Sequence, residues 1–137
     1  MRLLLDTHVF LWLIAGDARL SAGTVEAIRN PDHEVVLSVV SLWEVMIKHQ
    51  LGKLPLPRPP AAYLPEQRER HQIAALALDE ASVGHLAHLP AIHRDPFDRM
   101  LIAQALAHDL TLVTADPLIL AYPVPVLRAT GGAPHAS

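Results

Sequence analysis

Short apolar runs separated by longer amphipathic stretches organise this chain. Five runs rich in leucine, valine and isoleucine predict β-strands, at residues 2–5, 34–40, 72–78, 111–114 and 124–128. These runs are nearly continuous in apolar character instead of alternating with polar residues. Such strands are typical of a parallel sheet that is buried on both faces.

The segments between the runs predict helices that begin and end at recognisable residues. They cover 7–15, 21–30, 41–51, 60–71, 79–89 and 95–107, with a short last helix opening at 116–117. The first helix stops at Gly16, and the longest one opens at Asp95-Pro96, where proline follows a capping aspartate. Strands that alternate with helices predict an α/β fold with right-handed crossovers.

The composition fits a single folded domain. The chain has 137 residues, of which 51% are hydrophobic and 18% charged. We expect one domain over residues 1–130 and a flexible tail over 131–137, and we interpret the proline-rich stretch 54–60 as an exposed connector. No run is long enough for a secretion signal or a membrane span, so we expect a cytoplasmic protein.

Two features of the composition restrict the chemistry. There is no cysteine, which excludes disulfides, zinc–thiolate sites and thiol catalysis. The net charge is −3, whereas most nucleic-acid-binding proteins have a basic surface. A cluster of active-site acids would account for the negative charge, and a bound cation would reverse the local sign.

Four acidic residues lie where strands end or helices begin. Asp6 ends the first strand, Glu44 comes soon after the second, and Asp116 follows the fourth. Asp98 lies at the opening of the longest helix. Three of these junctions would meet at the carboxyl edge of a parallel sheet, where such folds bind ligands.

Each of these acids also has a purely structural interpretation. Ser41-x-x-Glu44 has the spacing of a capping box, Asp95 and Asp98 repeat it, and Asp116-Pro117 reads as an ordinary N-cap. Four carboxylates on one edge would nevertheless repel one another and raise one another's pKa. A divalent cation relieves that repulsion, and Mg²⁺ prefers carboxylate and water oxygens.

Four segments connect these acids to a known family. The strings LLLDTHVFLW, SVVSLWEVMIKHQLGKL, HRDPFDRMLIAQAL and LVTAD, which lie between Leu3 and about Arg128, resemble the PIN-domain family. More closely, they resemble its VapC-type toxin ribonucleases of bacterial toxin–antitoxin pairs. The resemblance implies a three-layer α/β/α fold whose five-stranded parallel sheet has the order 3-2-1-4-5.

The same resemblance implies an activity and a catalytic set. It implies Mg²⁺-dependent cleavage of RNA, with Mn²⁺ able to substitute, and no other cofactor. The first to fourth acids of the family correspond to Asp6, Glu44, Asp98 and Asp116, which would hold the metal. Our hypothesis is that water activated by the metal attacks the phosphodiester. Further implied partners are a second copy of the chain and a VapB-like antitoxin.

Several neighbouring residues are candidates for supporting roles. The resemblance assigns Thr114 to holding a carboxylate or a metal-bound water. Thr7, beside the first acid, could donate to a carboxylate, although we favour capping or packing for it. Arg99 is a candidate phosphate or carboxylate partner, and Asp95 could assist the site, although we favour helix capping for it.

Other residues are better explained by packing or by exposure to solvent. We expect Trp12 and Trp43 to pack in the core instead of stacking on bases, and His8 to cap or pack. His85 and His88 have metal-binding spacing but no third ligand, so we expect an exposed helix face. We expect Lys48 to pair with Glu44 one helical turn away.

Four alternatives to an RNA nuclease can be compared with the sequence. A dehalogenase-like phosphatase needs a second aspartate two residues after the first, where this chain has His8. A receiver-like module needs paired acids at the first strand, which are absent. A PIN-fold protein that acts on DNA, or a non-catalytic metal-binding interaction module, stays open as the alternative function.

Overall fold

The computed structural model describes residues 1–130; the predicted tail, 131–137, lies outside the described residues. The strands are β1 (Arg2–Leu5), β2 (Glu34–Ser38), β3 (Ala74–Leu76), β4 (Thr111–Thr114) and β5 (Val126–Arg128). The α-helices are α1 (Thr7–Ala15), α2 (Ala22–Arg29), α3 (Val39–Gln50), α4 (Pro60–Arg70), α5 (Glu80–His85) and α6 (Pro96–Ala107). Within the described residues, no helix is long and apolar enough to cross a bilayer.

The five strands form one parallel sheet with the order β3-β2-β1-β4-β5. In the centre of the sheet, Leu4 of β1 pairs with Val36 on one side and Leu112 on the other. The predicted fold class and strand order are therefore confirmed. The strand order reverses between β1 and β4, and the carboxyl ends of these two strands are where such a sheet forms a ligand crevice.

Side chains of β1 enter two separate cores because successive strand residues face opposite sides of the sheet. Leu3 and Leu5 pack with helices α1 to α4 in one core, whereas Leu4 packs with α6 in the other. All three leucines are fully buried. The sheet is thus covered on both faces, which explains why its central strands are almost entirely apolar.

The junction of β2 and α3 differs from the sequence-based expectation. The strand ends at Ser38 instead of residue 40, and the helix begins at Val39. Ser38 is the N-cap: its Oγ accepts the Val40 N–H at 3.0 Å and donates to Gln104 Oε1 at 2.6 Å. The structural alternative for Glu44, a capping box with Ser41, is wrong, because both residues lie inside the helix.

Other boundaries are shorter than predicted. The strand expected at 72–78 covers only Ala74–Leu76, since Gln72 has a φ of 58°, which no extended strand accommodates. The helix expected at 79–89 divides into α5 and a 3₁₀ helix at Leu86–His88. The short last helix is a 3₁₀ helix at Ile119–Ala121.

The two helix termini with the strongest sequence signals lie where they were predicted. Gly16 ends α1 with a φ of 64°, a conformation that glycine adopts without steric cost. Asp95 opens α6, and its Oδ1 accepts the N–H groups of Phe97 at 2.8 Å and Asp98 at 3.2 Å.

Candidate active site

The switch in strand order brings the predicted acids to one edge of the sheet. Asp6 follows β1 directly, and Asp116 lies two residues beyond the end of β4. Asp98 is in the first turn of α6, and Glu44 is in the second turn of α3. The negative charges of Asp6 and Glu44 both act on Asp98, so these three acids share one electrostatic environment. Asp116 joins them through His93, whose Nε2 lies within 3.1 Å of both Asp98 and Asp116.

Asp6 is 4% exposed and is held by the hydroxyl of Thr114. Thr114 Oγ1 donates to Asp6 Oδ2 at 2.6 Å and accepts the Asp116 N–H at 3.0 Å. Holding a carboxylate is one of the two roles that the family resemblance gave Thr114. The other oxygen, Asp6 Oδ1, is buried and has no hydrogen-bond partner among the described residues.

The pKa of Asp6 is raised. Burial is the largest cause, and the charge of Glu44 adds to it, while the hydrogen bond from Thr114 and the charge of His8 oppose it. A buried, unpaired carboxylate oxygen is costly unless a cation or a proton reaches it. Asp6 Oδ1 is therefore an oxygen that a cation or a proton would satisfy.

Glu44 is 1% exposed, and both its oxygens are occupied. Thr7 Oγ1 donates to Glu44 Oε1 at 2.8 Å, and the ammonium of Lys48 binds Oε2. Because a threonine hydroxyl has one hydrogen, the 2.8 Å bond between Thr7 and Ser41 places Ser41 as the donor to Thr7. Thr7 thus donates to a carboxylate, the role that the sequence left as the less favoured one. The predicted pair of Glu44 and Lys48 is confirmed.

Lys48 supplies positive charge at the margin of the acidic cluster. Burial lowers its pKa, but the hydrogen bond and charge of Glu44, with the charges of Asp95 and Asp98, raise it overall. Its side chain is partly exposed. The ammonium therefore stays charged and partly compensates the buried Glu44.

The pKa of Asp98 is raised to about 7. Burial is the largest cause, followed by the charges of Asp6, Asp95 and Glu44, and the charge of His93 opposes them. Its Oδ2 lies 3.1 Å from His93 Nε2. Among the described residues no hydrogen bond reaches Asp98 Oδ1, so this oxygen is available to a ligand.

His93 belongs to the site, and the sequence reasoning did not single it out. Its Nε2 lies 2.7 Å from Asp116 Oδ2 and 3.1 Å from Asp98 Oδ2. One sequence signal could have indicated His93: it is the first residue of HRDPFDR, the segment that also contains Asp95 and Asp98. Within the described part of the chain, His93, Asp98 and Asp116 are the group of three that could hold a metal ion.

The sequence suggested that Asp116 caps an α-helix, but the structure has no α-helix there. Its Oδ1 accepts the Leu118 N–H at 2.9 Å, and its carbonyl oxygen accepts the Ile119 N–H at the start of a 3₁₀ helix. With His93 on Oδ2, both carboxylate oxygens are occupied. Asp116 therefore supports the site from a fixed turn.

The remaining candidates contribute to structure. Asp95 caps α6, as we favoured. Arg99 donates to the carbonyl oxygen of Pro90 at 2.8 Å and contacts the Tyr122 hydroxyl at 3.3 Å, and within residues 1–130 it pairs with no carboxylate. Its observed contacts fix a loop instead of an acid.

The two tryptophans differ from each other. Trp12 is partly buried against the core, with Arg19 stacked on its ring at 4.9 Å. Trp43 is 59% exposed and meets Phe97 edge to face, with 5.0 Å between ring centroids. The prediction that Trp43 packs in the core is wrong, because α3 turns that side chain away from both cores. His85 and His88 form no metal-binding group with other described residues.

Comparison with known protein families matches residues 3–123 to the PIN domain. The chain therefore belongs to the PIN domain family, and the resemblance seen in the sequence is confirmed.

Two ribonucleases of Mycobacterium tuberculosis are similar in sequence. VapC22 is 29% identical over 113 residues, which cover 82% of this chain and 85% of VapC22. VapC16 is 39% identical over 61 residues, covering 44% of this chain and 41% of VapC16. The segment shared with VapC16 thus spans less than half of that protein.

Solved structures share the fold at low identity. VapBC2 from Rickettsia felis, bound to a DNA fragment from its promoter, aligns with a TM-score of 0.71 at 15% identity and covers 93% of this chain and 98% of that chain. VapBC-5 from M. tuberculosis aligns with a TM-score of 0.60 at 23% identity and the same coverage.

Proposed function

We propose that this chain is a divalent-metal-dependent endoribonuclease and the toxin of a toxin–antitoxin pair. The observation that carries the proposal is the buried Asp6 Oδ1, which has no hydrogen-bond partner within residues 1–130 and lies in a cluster of four acids at the switch point of the sheet. The PIN domain match and the two similar ribonucleases support the same activity.

The donor set fits a hard cation such as Mg²⁺, or Mn²⁺ in its place. Among the four acids, Asp6 Oδ1 and Asp98 Oδ1 are the carboxylate oxygens with neither a hydrogen bond nor an ion-pair contact to another described residue, so these two acids would bind it directly. Both carboxylate oxygens of Glu44 and of Asp116 already have hydrogen-bond partners. These two acids would lie next to the cation and add negative charge without binding it directly. When bound, such a cation supplies a Lewis acid for phosphodiester hydrolysis.

The chain's own residues prepare the site for a negatively charged substrate. Thr114 and Thr7 hold the carboxylates of Asp6 and Glu44 in place, which limits reorganisation during the reaction. Lys48 offers a cation at the margin, within reach of the same acids. No serine, threonine or cysteine here is activated as a nucleophile within the described residues, so we propose hydrolysis without a covalent enzyme intermediate.

The proposal includes protein partners. Similar solved structures are VapBC complexes, and we propose a VapB-like antitoxin for this chain, together with a homodimer. A stripe of exposed apolar side chains on α3, formed by Val39, Trp43 and Met46, offers a surface for such contacts.

The experiment measures cleavage of total RNA and a tRNA pool by protein freed of co-purifying partners. Mg²⁺, Mn²⁺ or EDTA is added to the wild type, Asp6→Asn and Asp98→Asn, with Asp32→Asn as the same change at an exposed position. We expect cleavage by the wild type and Asp32→Asn that EDTA and both site substitutions abolish. Activity that survives both substitutions, or cleavage of DNA in preference to RNA, would contradict the proposal.

A further inference from the structure

The hydrogen bonds of His93 define which ring nitrogen carries the hydrogen. The backbone N–H of Asp95 donates to His93 Nδ1 at 3.1 Å. A backbone amide only donates, so Nδ1 must present its lone pair and the hydrogen of the neutral ring lies on Nε2. The carboxylate of Asp116, whose Oδ2 lies 2.7 Å from Nε2, is the acceptor that this hydrogen needs, and Asp98 Oδ2 lies 3.1 Å from the same nitrogen.

The loop that carries His93 is itself fixed. The hydroxyl oxygen of Tyr122, a buried residue, accepts the N–H groups of Ile92 at 3.2 Å and His93 at 2.7 Å. Arg99 donates to the carbonyl oxygen of Pro90 in the same loop at 2.8 Å. Hydrogen bonds to the backbone of His93 and hydrogen bonds to its ring therefore both fix the position of the imidazole.

We infer that His93 is a positioning residue: it donates its Nε2 hydrogen to Asp116 and holds Asp98 through the close contact of Nε2 with Asp98 Oδ2, so that both acids are placed for the cation. The inference rests on the proposed function, since it gives His93 its role at the proposed metal site. With Asp98 Oδ2 facing His93, Asp98 Oδ1 is left for the cation. Neither the sequence motif nor the family match assigns a role to this histidine.

The same contacts argue against His93 as a metal ligand. To bind a cation, Nε2 would have to lose its hydrogen, which would then move to Nδ1. Nδ1 faces the amide hydrogen of Asp95, so that tautomer would lose one hydrogen bond and oppose two N–H groups. A histidine that binds a metal usually donates the N–H of its other ring nitrogen to a group outside the site; here the Nε2–H donates to Asp116 instead.

Two isosteric substitutions separate positioning from packing. The amide nitrogen of His93→Gln reaches the place of Nε2 and can donate to both acids, whereas that of His93→Asn reaches only the place of Nδ1. Isothermal titration with Mg²⁺ alone measures cation affinity without RNA. We expect the Kd of His93→Asn to rise about 10–100-fold and His93→Gln to retain most of the affinity. The exposed His88→Gln is the matched control and should bind as the wild type does.

Nitrogen-15 NMR of the histidine rings gives a second, independent measurement. The signals missing from His93→Gln identify His93, and their shifts report which nitrogen is protonated. Burial lowers the pKa of His93, but the neighbouring acids raise it overall, so the spectra are recorded at alkaline pH, where the ring is neutral. There we expect hydrogen on Nε2 alone, unchanged when Mg²⁺ is added. Thermal unfolding of each variant verifies that it is folded.

Four results would overturn the inference: hydrogen on Nδ1, loss of the Nε2 hydrogen on Mg²⁺ addition, equal affinity of His93→Asn and the wild type, or a wild type that binds no Mg²⁺. Failure of the proposed function is distinguishable. A wild type that binds Mg²⁺ with the expected ranking of variants yet cleaves no RNA would contradict the ribonuclease and leave the role of His93 supported.

Discussion

Replacing Asp98 with asparagine should make the metal-free protein more stable. The carboxyl group of Asp98 is mostly buried among other acids, and its pKa is raised to about 7 by burial first and then by the charges of Asp6, Asp95 and Glu44. Ionised Asp98 therefore costs folding free energy that an amide of nearly the same shape does not. Asparagine also keeps an oxygen that can accept the hydrogen of His93.

The sign of the pH dependence follows from the two pKa values. In the unfolded chain Asp98 loses its proton near its ordinary pKa of 3.8, and in the folded protein near a pKa of about 7. Between these values the folded protein binds more protons, so this group lowers stability as pH rises, and its cost is complete above pH 7. The gap corresponds to at most about 4 kcal/mol. Because the side chain is 15% exposed and solvent screens the repulsion, we expect a gain of roughly 1–3 kcal/mol at pH 8.

The assay is urea and thermal unfolding followed by circular dichroism in EDTA, at pH 8 and pH 5. Asp98→Asn should raise the melting temperature by roughly 5–10 °C at pH 8, and by less than half of that at pH 5. Asp32→Asn makes the same chemical change at an exposed position and should alter stability by less than about 0.5 kcal/mol. Added Mg²⁺ should stabilise the wild type more than Asp98→Asn, since a cation that binds only the folded state adds stability.

One result would refute this reasoning directly. Suppose that Asp98→Asn is no more stable than the wild type at pH 8 in EDTA. Ionised Asp98 then does not lower the free energy of unfolding, and the raised pKa is wrong. A gain that is larger at pH 5 than at pH 8 would also contradict it, because protonated Asp98 carries no charge to relieve.

Three further substitutions test the packing. Ser38→Ala should cost roughly 1–3 kcal/mol in urea unfolding, because it removes the α3 cap and leaves the buried Gln104 Oε1 without its 2.6 Å donor; a neutral result would contradict that account. Leu112→Ala, in the fully buried centre of β4, should cost about 2–5 kcal/mol by the same measurement, and a loss under about 1 kcal/mol would mean that the core closes around the cavity. Trp43→Ala should cost no more than about 1.5 kcal/mol, the worth of its edge-to-face contact with Phe97, and should remove the iodide-quenchable part of the tryptophan fluorescence; unchanged quenching would mean that Trp43 is not exposed.

Much of the fold could be predicted because its signals are local. The apolar runs placed all five strands, and Asp95-Pro96 and Gly16 gave helix termini that the structure confirms. The order of the strands came from the family resemblance, since periodicity does not say which strands are neighbours. The pair of Glu44 and Lys48 could be predicted because one helical turn separates the two residues.

The junction of β2 and α3 shows where local signals fail. Val39 and Val40 are β-branched and favour a strand, yet both belong to a helix. A tertiary contact outweighs this strand preference. Ser38 donates to Gln104, 66 residues away, and in that position it caps the helix. The sequence pattern contains no information about that distant acceptor, so the helix start was placed at Ser41.

The tertiary structure also decided which side chains are exposed and which residues hold the acids of the site in place. An apolar neighbourhood in sequence suggested a buried Trp43, but exposure depends on which side of α3 meets the sheet. The bonds from Thr114 to Asp6 and from His93 to Asp116 join residues 108 and 23 positions apart. The sequence by itself determined the elements, the acids and the family, because these depend on residue type and short spacing. Only the folded chain decided which oxygens of those acids are occupied and which are left for a cation, because hydrogen bonds require positions that the sheet order alone brings together.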